Sequence, residues 1–229
     1  MTRPGTPATR GWFITIEGPE GAGKTTQAAR LGRHLEDRGR IVHLTREPGG
    51  TWVGEQIRAI LLARTDSTAA TDPLTDALLF NAARRQLVSE VIRPALETGD
   101  TIVCARYADS TLAYQGYGAG VPLDRLRELA AVATDDLVPD LTILLDLPPE
   151  DGLARKAPGD VTRFEAEFDL AFHRRVRDGF LALAGAEPDR FTVIDARRPA
   201  TEVAAAVATS VDVRLGVDEP EGPVVRINR

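Results

Sequence analysis

A chain of 229 residues, 43% hydrophobic and 27% charged, has the size and make-up of one globular domain with a sizeable core. Its formal charge of −6 argues against a surface built for bulk nucleic-acid binding, yet a few arginines in a cleft can still hold a small anion. The lone Cys104 excludes an intrachain disulfide, the three dispersed histidines offer no metal cluster with it, and no apolar run reaches the roughly 20 residues of a spanning helix.

Residues 1–10 lack the apolar stretch of a secretion signal and read as a flexible extension. The expectation is a cytoplasmic protein with one domain over 11–215 and a flexible tail over 216–229. Trp12–Glu17 reads as a buried strand, followed by a glycine-rich turn and a helix from about Lys24 to Arg38, with Gly39 as its stop. Arg40–Thr45 is a second strand, Pro48-Gly49-Gly50 a turn, and Val53–Leu62 a helix. A polar stretch, Arg64–Asp72, leads into a long helix from about Pro73 to Leu96. Thr101–Cys104 is a third strand, Asp109–Gly120 a loop with local helix, and Leu123–Thr134 a further helix. Leu141–Leu147 runs apolar throughout, as a strand covered on both faces does. Pro149–Arg155 starts a short helix broken at Ala157-Pro158-Gly159-Asp160. Phe164, Phe168, Phe172, Val176 and Phe180 recur at i+4 and predict one core-facing side of a long helix. Phe191–Asp195 is the fifth strand and Thr201–Val211 the last helix. Strands alternating with helices at these lengths predict a doubly wound α/β fold, a parallel sheet flanked by helices.

Gly18-Pro19-Glu20-Gly21-Ala22-Gly23-Lys24-Thr25 fits G-x-x-x-x-G-K-[ST] between a strand and a helix, the context a phosphate-binding loop requires. Glycines let successive backbone N–H groups face an anion, and the helix N-terminus adds its dipole. Lys24 brings a positive charge for the β- and γ-phosphates, and the Thr25 hydroxyl suits Mg²⁺, with Thr26 beside it. The loop announces a nucleoside triphosphate such as ATP.

Four later segments narrow the reading. Thr45-Arg46-Glu47-Pro48-Gly49-Gly50-Thr51 ends the second strand, where a doubly wound sheet puts its binding loops. Phe80 and Arg84 stand at i, i+4 on one helical face, a flat ring beside a forked cation, which suits a nucleobase. Arg106-Tyr107-Ala108-Asp109-Ser110-Thr111-Leu112-Ala113-Tyr114-Gln115-Gly116 follows the third strand. Arg155, Lys156 and Arg163 flank the Pro-Gly break, as a lid over phosphates (about 155–164) requires. Taken singly, Phe80 fits plain core and Arg58, Arg84 and Arg85 fit solvated helix charges. Asp146, at the end of the fourth strand, suits either magnesium or a loop cap.

In this order and spacing the motifs resemble the thymidylate kinase family from about residue 12 to residue 211. The resemblance implies a five-stranded parallel sheet, a homodimer, and transfer of a phosphoryl group from ATP·Mg²⁺ to dTMP. It further implies that Phe80 stacks on the thymine, with Arg84 against base and phosphate, and Thr111 and Gln115 at the base edge. Tyr114 would lie under the deoxyribose, Glu20 would reach the sugar 3′-hydroxyl, and Arg58 would stand near the dTMP phosphate. Arg106 would bind the transferring phosphates, and Glu47-Pro48 would form a turn with a cis peptide. Gly21 stands where some members carry a P-loop arginine, which shifts the catalytic cation to Arg155, Lys156 or Arg163. Neither an N-K-x-D segment nor a DxxG strand end of a switch GTPase is present.

One position departs from the family. Ala105-Arg106-Tyr107 stands where the resemblance leads one to expect Asp-Arg-Tyr. Either another carboxylate (Glu17, Asp146 or Glu165) substitutes, or catalysis is weakened, or the residue is a variant. The alternatives to dTMP phosphorylation are thus a weakly active or non-catalytic nucleotide-binding homologue and a kinase of another nucleoside monophosphate.

Overall fold

Alternation decides where each strand sends its side chains. In β1 (Phe13–Glu17) every residue is buried, so both faces of the strand are covered. Ile14 and Ile16 point to one side, into a layer with Leu31 and Leu35 of α1 (Lys24–Glu36) and Val203 and Val207 of α9 (Ala200–Leu215). Phe13 points to the other, into a layer with Leu87 and Ile102. The structure is a computed structural model that describes residues 10–63, 71–155, 162–164 and 168–216. Arg10, at the edge of the proposed N-terminal extension, is held by Asp140; positions 1–9 and 217–229 lie outside the described residues.

β1 is flanked by β3 (Thr101–Ala105) and β4 (Leu141–Asp146), with β2 (Val42–Arg46) and β5 (Phe191–Asp195) at the edges. All four pairings are parallel, in the order β2-β3-β1-β4-β5. The chain winds away from β1 in both directions, and a crevice opens at the carboxyl ends where the order reverses. The register sets Ile16 beside Ala105, and the Arg106 N–H donates to Ile16 O at 3.0 Å, so the loops after β1 and β3 emerge side by side. The doubly wound five-stranded expectation is met.

Local chemistry fixes the helix ends. Gly39, at φ +77°, closes α1: its N–H donates to Glu36 O and the Arg40 N–H to Leu35 O, a Schellman pair. Thr51 caps α2 (Trp52–Leu62) and Asp72 caps α3 (Pro73–Leu87), each accepting a backbone N–H of the first turn at 3.0 and 2.9 Å. The single long helix expected over 73–96 is interrupted by a π-helical turn, Val88–Ile92, before α4 (Arg93–Glu97). Pro94 explains this, since it has no N–H for a carbonyl four residues back and its ring crowds that carbonyl, which a wider turn relieves. The segment after β3 is more regular than expected: α5 (Ala108–Thr111) runs on as π-helical turns over Leu112–Gly118, ahead of α6 (Leu123–Thr134). α7 (Pro149–Ala154) follows β4.

The five-position apolar stripe from Phe164 to Phe180 requires correction. Only Phe172, Val176 and Phe180 lie on α8 (Leu170–Ala186), which starts at Asp169, whose carboxylate accepts the Phe172 N–H at 2.8 Å. Phe164 and Phe168 precede the helix. They continue its apolar face by ring contact instead: Phe168 stacks on Phe172 at 4.0 Å and Phe164 on Phe168 at 5.8 Å.

Candidate active site

The glycine-rich loop after β1 carries positive φ at Gly18, Gly21 and Gly23. At Gly21 a side chain is doubly forbidden: φ is +70°, and a Cβ would stand 2.0 Å from the carbonyl oxygen of Gly152 in α7. A Cβ on Gly152 would in turn meet Glu20 O at 2.1 Å, so the loop and α7 touch through paired glycines. That contact leaves no room for a side chain, arginine included, at position 21. Gly23 precedes α1 without a side-chain cap, so the amides of the first turn are left for an anion. The Lys24 ammonium donates to the carbonyls of Gly18 and Pro19 at 2.8 and 2.6 Å, folded over its own loop.

Two cavities meet here. The first, about 440 Å³, is lined by Lys24, Thr25 and the arginines Arg46, Arg58, Arg106 and Arg155, a strongly positive cleft. Ala105 also faces it. The second, about 130 Å³, has Phe80, Tyr114 and Phe164 as aromatic lining and Thr111 and Gln115 as neutral polar lining, which suits an uncharged flat ring. Glu20, Glu47, Arg58 and Arg106 line both and mark the junction. Pro48, also in the second cavity, follows Glu47 through a cis peptide, as expected.

Arg106 commands that junction. It holds φ +70°, a strained setting for a residue with a side chain, right at the end of β3. Its guanidinium pairs with Glu20, donates to Ser110 Oγ and Tyr114 Oη at 3.2 and 3.3 Å, and lies 5.0 Å from the Tyr114 ring centre. Burial, the largest single influence, opposes its charge, but Glu20, Tyr114 and Glu17 together outweigh burial and raise its pKa. Tyr114 donates to the same Glu20 carboxylate at 3.0 Å, and burial holds its phenol protonated far above the ordinary range. Behind them the buried Glu17 accepts from the Tyr107 N–H and the Ser110 hydroxyl, both at 2.6 Å. Burial, then the nearby charge of Asp109, pushes Glu17 up to about 7.

Arg84 is placed one layer deeper than expected. Its side chain is 1% exposed and lines neither cavity; it pairs with Glu47 at 2.7 Å and donates to Asn81, Tyr107 O and Thr111 Oγ1 at 2.9, 3.0 and 3.0 Å. In this arrangement it holds Glu47 and Thr111 in place. Because Thr111 accepts from Arg84, its own proton can be donated into the cavity. Burial raises the Glu47 pKa against the pull of Arg84, and Glu47 Oε1 has no hydrogen-bond partner among the described residues. Arg58 donates to Pro48 O at 3.0 Å, and burial, then the charge of Arg46, lowers its pKa.

The structure divides the expected lid cations. Arg155 joins the positive cleft and donates to Ala196 O at 3.0 Å. Arg163 does not reach that cleft; it is buried against Asp76. Lys156 and Glu165 lie outside the described residues. Asp146 is neither a loop cap nor free for a metal, since Arg177 grips both its oxygens at 2.7 and 2.8 Å.

Sequence reasoning missed two parts of the site. Phe164 passed for helix core because its spacing continued the stripe of α8. A third cavity, about 500 Å³, lies on the far side of Gly21–Gly23, between Arg155 and the loop Ala196–Ala200 after β5. Its only signal in the sequence is position, at a strand end that opens into the crevice. Gln27 lines it, with Oε1 unpartnered among the described residues and Nε2 donating to Ala200 O at 3.0 Å.

For a metal the test is the donor set. Among the described residues no group of three or more His, Cys, Asp or Glu could hold an ion. Thr25 lies exposed on the first turn of α1 inside the positive cleft. One hydroxyl and no cage fits a cation such as Mg²⁺, which keeps its waters and takes phosphate oxygens from a nucleotide.

Comparison with known proteins bears on the same residues. A family model described as thymidylate kinase matches residues 16–207. Thymidylate kinases of Deinococcus radiodurans and Thermomicrobium roseum are 54% and 55% identical, over 90% and 87% of this chain and 98% and 94% of their own. The crystal structure of thymidylate kinase from Ehrlichia chaffeensis is 34% identical, with a TM-score of 0.71, over 88% of this chain and 99% of that one.

Proposed function

This chain belongs to the thymidylate kinase family, and from that premise we propose that it transfers the γ-phosphoryl group of ATP to dTMP, giving ADP and dTDP. The observation that carries the reading is the meeting of a positive, glycine-walled cleft with a small aromatic pocket at Glu20, Glu47, Arg58 and Arg106. A triphosphate and a monophosphate held in those two spaces bring their reacting ends to one point, and alignment supplies much of such a reaction's acceleration.

In this mechanism the P-loop amides and Lys24 hold the β- and γ-phosphates. The third cavity, beside Arg155 and the Ala196–Ala200 loop, takes the adenosine. Phe80 stacks on the thymine, with Thr111 and Gln115 at its polar edge. Tyr114 and Glu20 receive the deoxyribose, and Arg58 the dTMP phosphate. Arg106 and Arg155 gather around the moving phosphoryl group as its charge spreads over its oxygens. The attacking dTMP oxygen is already anionic, so no side chain needs to remove a proton. Magnesium, when bound with ATP, would be held by Thr25 and the nucleotide's own oxygens and would neutralise charge between the β- and γ-phosphates.

The protein is proposed to act as a cytoplasmic homodimer. α2 packs on α3 and α3 on α6, and this layer exposes Ile60, Leu78 and Val132, apolar surface that a second copy would cover. No described helix is long and apolar enough to cross a membrane. The test is coupled ADP release with dTMP, dUMP, dGMP and AMP in turn. Release that depends on dTMP and is weaker with dUMP is the expected result. Equal release with all four, or with none, overturns the assignment.

A further inference from the structure

Arg163 stands among the basic residues of a phosphate lid in the sequence, yet its surroundings are not those of a phosphate ligand. Its side chain and that of Asp76 are each 5% exposed, and Nη2 donates to both Asp76 oxygens at 2.9 and 2.8 Å. Turning this guanidinium towards a phosphate in the positive cleft would break a buried ion pair with Asp76, which is unfavourable. Arg163 borders a separate small space behind Tyr114 and Gln115, away from Lys24.

What Arg163 does hold is its neighbour. The guanidinium lies 4.9 Å from the ring centre of Phe164, and Phe164 lines the aromatic pocket. That ring stands 6.1 Å from Phe80 at 48° and 6.0 Å from Tyr114 at 87°. Asp76 and Phe80 are four residues apart on α3, so the ion pair and the stacking ring share one helical face. We propose, on the reading of dTMP as acceptor, that Arg163 is a positioning residue for base recognition: its ion pair with Asp76 sets Phe164 into the pocket wall, where Phe164 meets the nucleobase. Two parallel rings sandwiching a base must stand roughly 7 Å apart, twice the contact distance of carbon atoms. Phe80 and Phe164 are closer than that and tilted, so they form a corner. Phe80 takes the face of the base and Phe164 an edge.

The test measures dTMP and ATP binding by calorimetry beside steady-state kinetics. Phe164→Ala should raise the dTMP dissociation constant about 2- to 12-fold, the span of one aromatic edge contact. Arg163→Ala should raise it by at least as much, with ATP binding unchanged and the loss falling on KM for dTMP. The double variant should bind dTMP no worse than Arg163→Ala alone, because coupled residues are not additive. Arg163→Lys keeps a charge against Asp76 and should recover part of the affinity; it also carries the test if Arg163→Ala does not fold. A large drop in kcat at unchanged dTMP affinity in either Arg163 variant overturns the proposal, as does a multiplied loss in the double variant. A parent chain that binds no dTMP fails earlier and overturns the acceptor assignment itself.

Discussion

The two sides of the cleft are made of different materials. On the side proposed for the triphosphate the floor is backbone, shaped by Gly18, Gly21 and Gly23 with Gly21 pressed against Gly152 of α7, and Lys24 and arginines line the cleft above it. On the monophosphate side they are side chains from α3, α5 and the turns after it, set by a buried layer in which Arg84 ties Glu47 to Thr111. A backbone site tolerates no Cβ but needs little support; a side-chain site tolerates substitution at its rim but depends on what lies beneath it. Stability should therefore be most sensitive beneath the base pocket, and turnover most sensitive at the loop.

The largest expected effect tests that division directly. Arg84→Met leaves the Glu47 carboxylate buried without its partner, which should cost about 3–5 kcal/mol of stability. Urea unfolding measures it, and a loss below about 1 kcal/mol would mean the pair behaves as a surface one. Lys24→Ala should do the opposite, leaving unfolding unchanged while cutting kcat by about 10²–10³-fold or more. Retained turnover would remove catalysis from the loop.

Glu17 joins the two sides, since it holds Ser110 and the backbone N–H of Tyr107, the residue after Arg106. Its pKa is raised from 4.5 to about 7 by burial and by Asp109, against the pull of Ser110, Arg106 and the Tyr107 N–H. Ionising it in the folded protein costs free energy that the unfolded chain does not incur. Stability from this group is thus full below about pH 4.5 and declines as pH rises towards about 7. Glu17→Gln stays neutral, so its stability relative to the parent should improve between pH 5 and pH 8, on the order of 2–3 kcal/mol. Thermal unfolding at both pH values measures this, and a constant difference would mean that Glu17 is ionised throughout.

Base recognition is the next smaller effect. Phe80→Ala should raise the dTMP dissociation constant roughly 5- to 150-fold, the worth of one base–aromatic stack, with ATP binding nearly unchanged. Equal losses for both nucleotides would make Phe80 core and dissolve the contrast between the two sides.

The same contrast explains what could be read in advance. The P-loop was legible because a backbone site needs glycines at fixed spacing, and the Pro48-Gly49-Gly50 turn because it is written in adjacent residues. The inner strands β1, β3 and β4 were legible because both faces of the middle of a parallel sheet are apolar. Arg163 was misplaced because a cation beside a Pro-Gly break looks alike whether it meets a phosphate or a buried Asp76, 87 residues away in the chain. Phe164 was hidden by a spacing that continued that of α8, where only the Asp169 cap reveals the boundary. Arg84 was right in kind but one layer too shallow, since i, i+4 spacing gives a face and not a depth. The π-helical turn over Val88–Ile92 had Pro94 as its mark, but a proline within a helical pattern gives a break without saying which kind of turn relieves it.

The smallest effect concerns Ala105, at the seam of the two sides. Its backbone carbonyl accepts the Glu47 N–H at 3.0 Å, and its side chain faces the positive cleft next to Arg106. A carboxylate there would face the phosphates, so its absence should weigh on kcat more than on dTMP affinity. Ala105→Asp should raise kcat at least about tenfold, or ~1.4 kcal/mol of barrier, with dTMP binding little changed. Of the carboxylates that could stand in, Asp146 is taken by Arg177 and Glu17 by Ser110 and Tyr107. Glu47 is different: it lines both cavities, and its Oε1 has no hydrogen-bond partner among the described residues while Arg84 holds Oε2. Steady-state kinetics of Ala105→Asp at saturating ATP and magnesium, in the parent and in a Glu47→Gln background, separate the two cases. A gain only in the Gln background would mean that Glu47 already serves in place of a carboxylate at 105, and a gain in neither would mean that the cleft's cations need no carboxylate at this point.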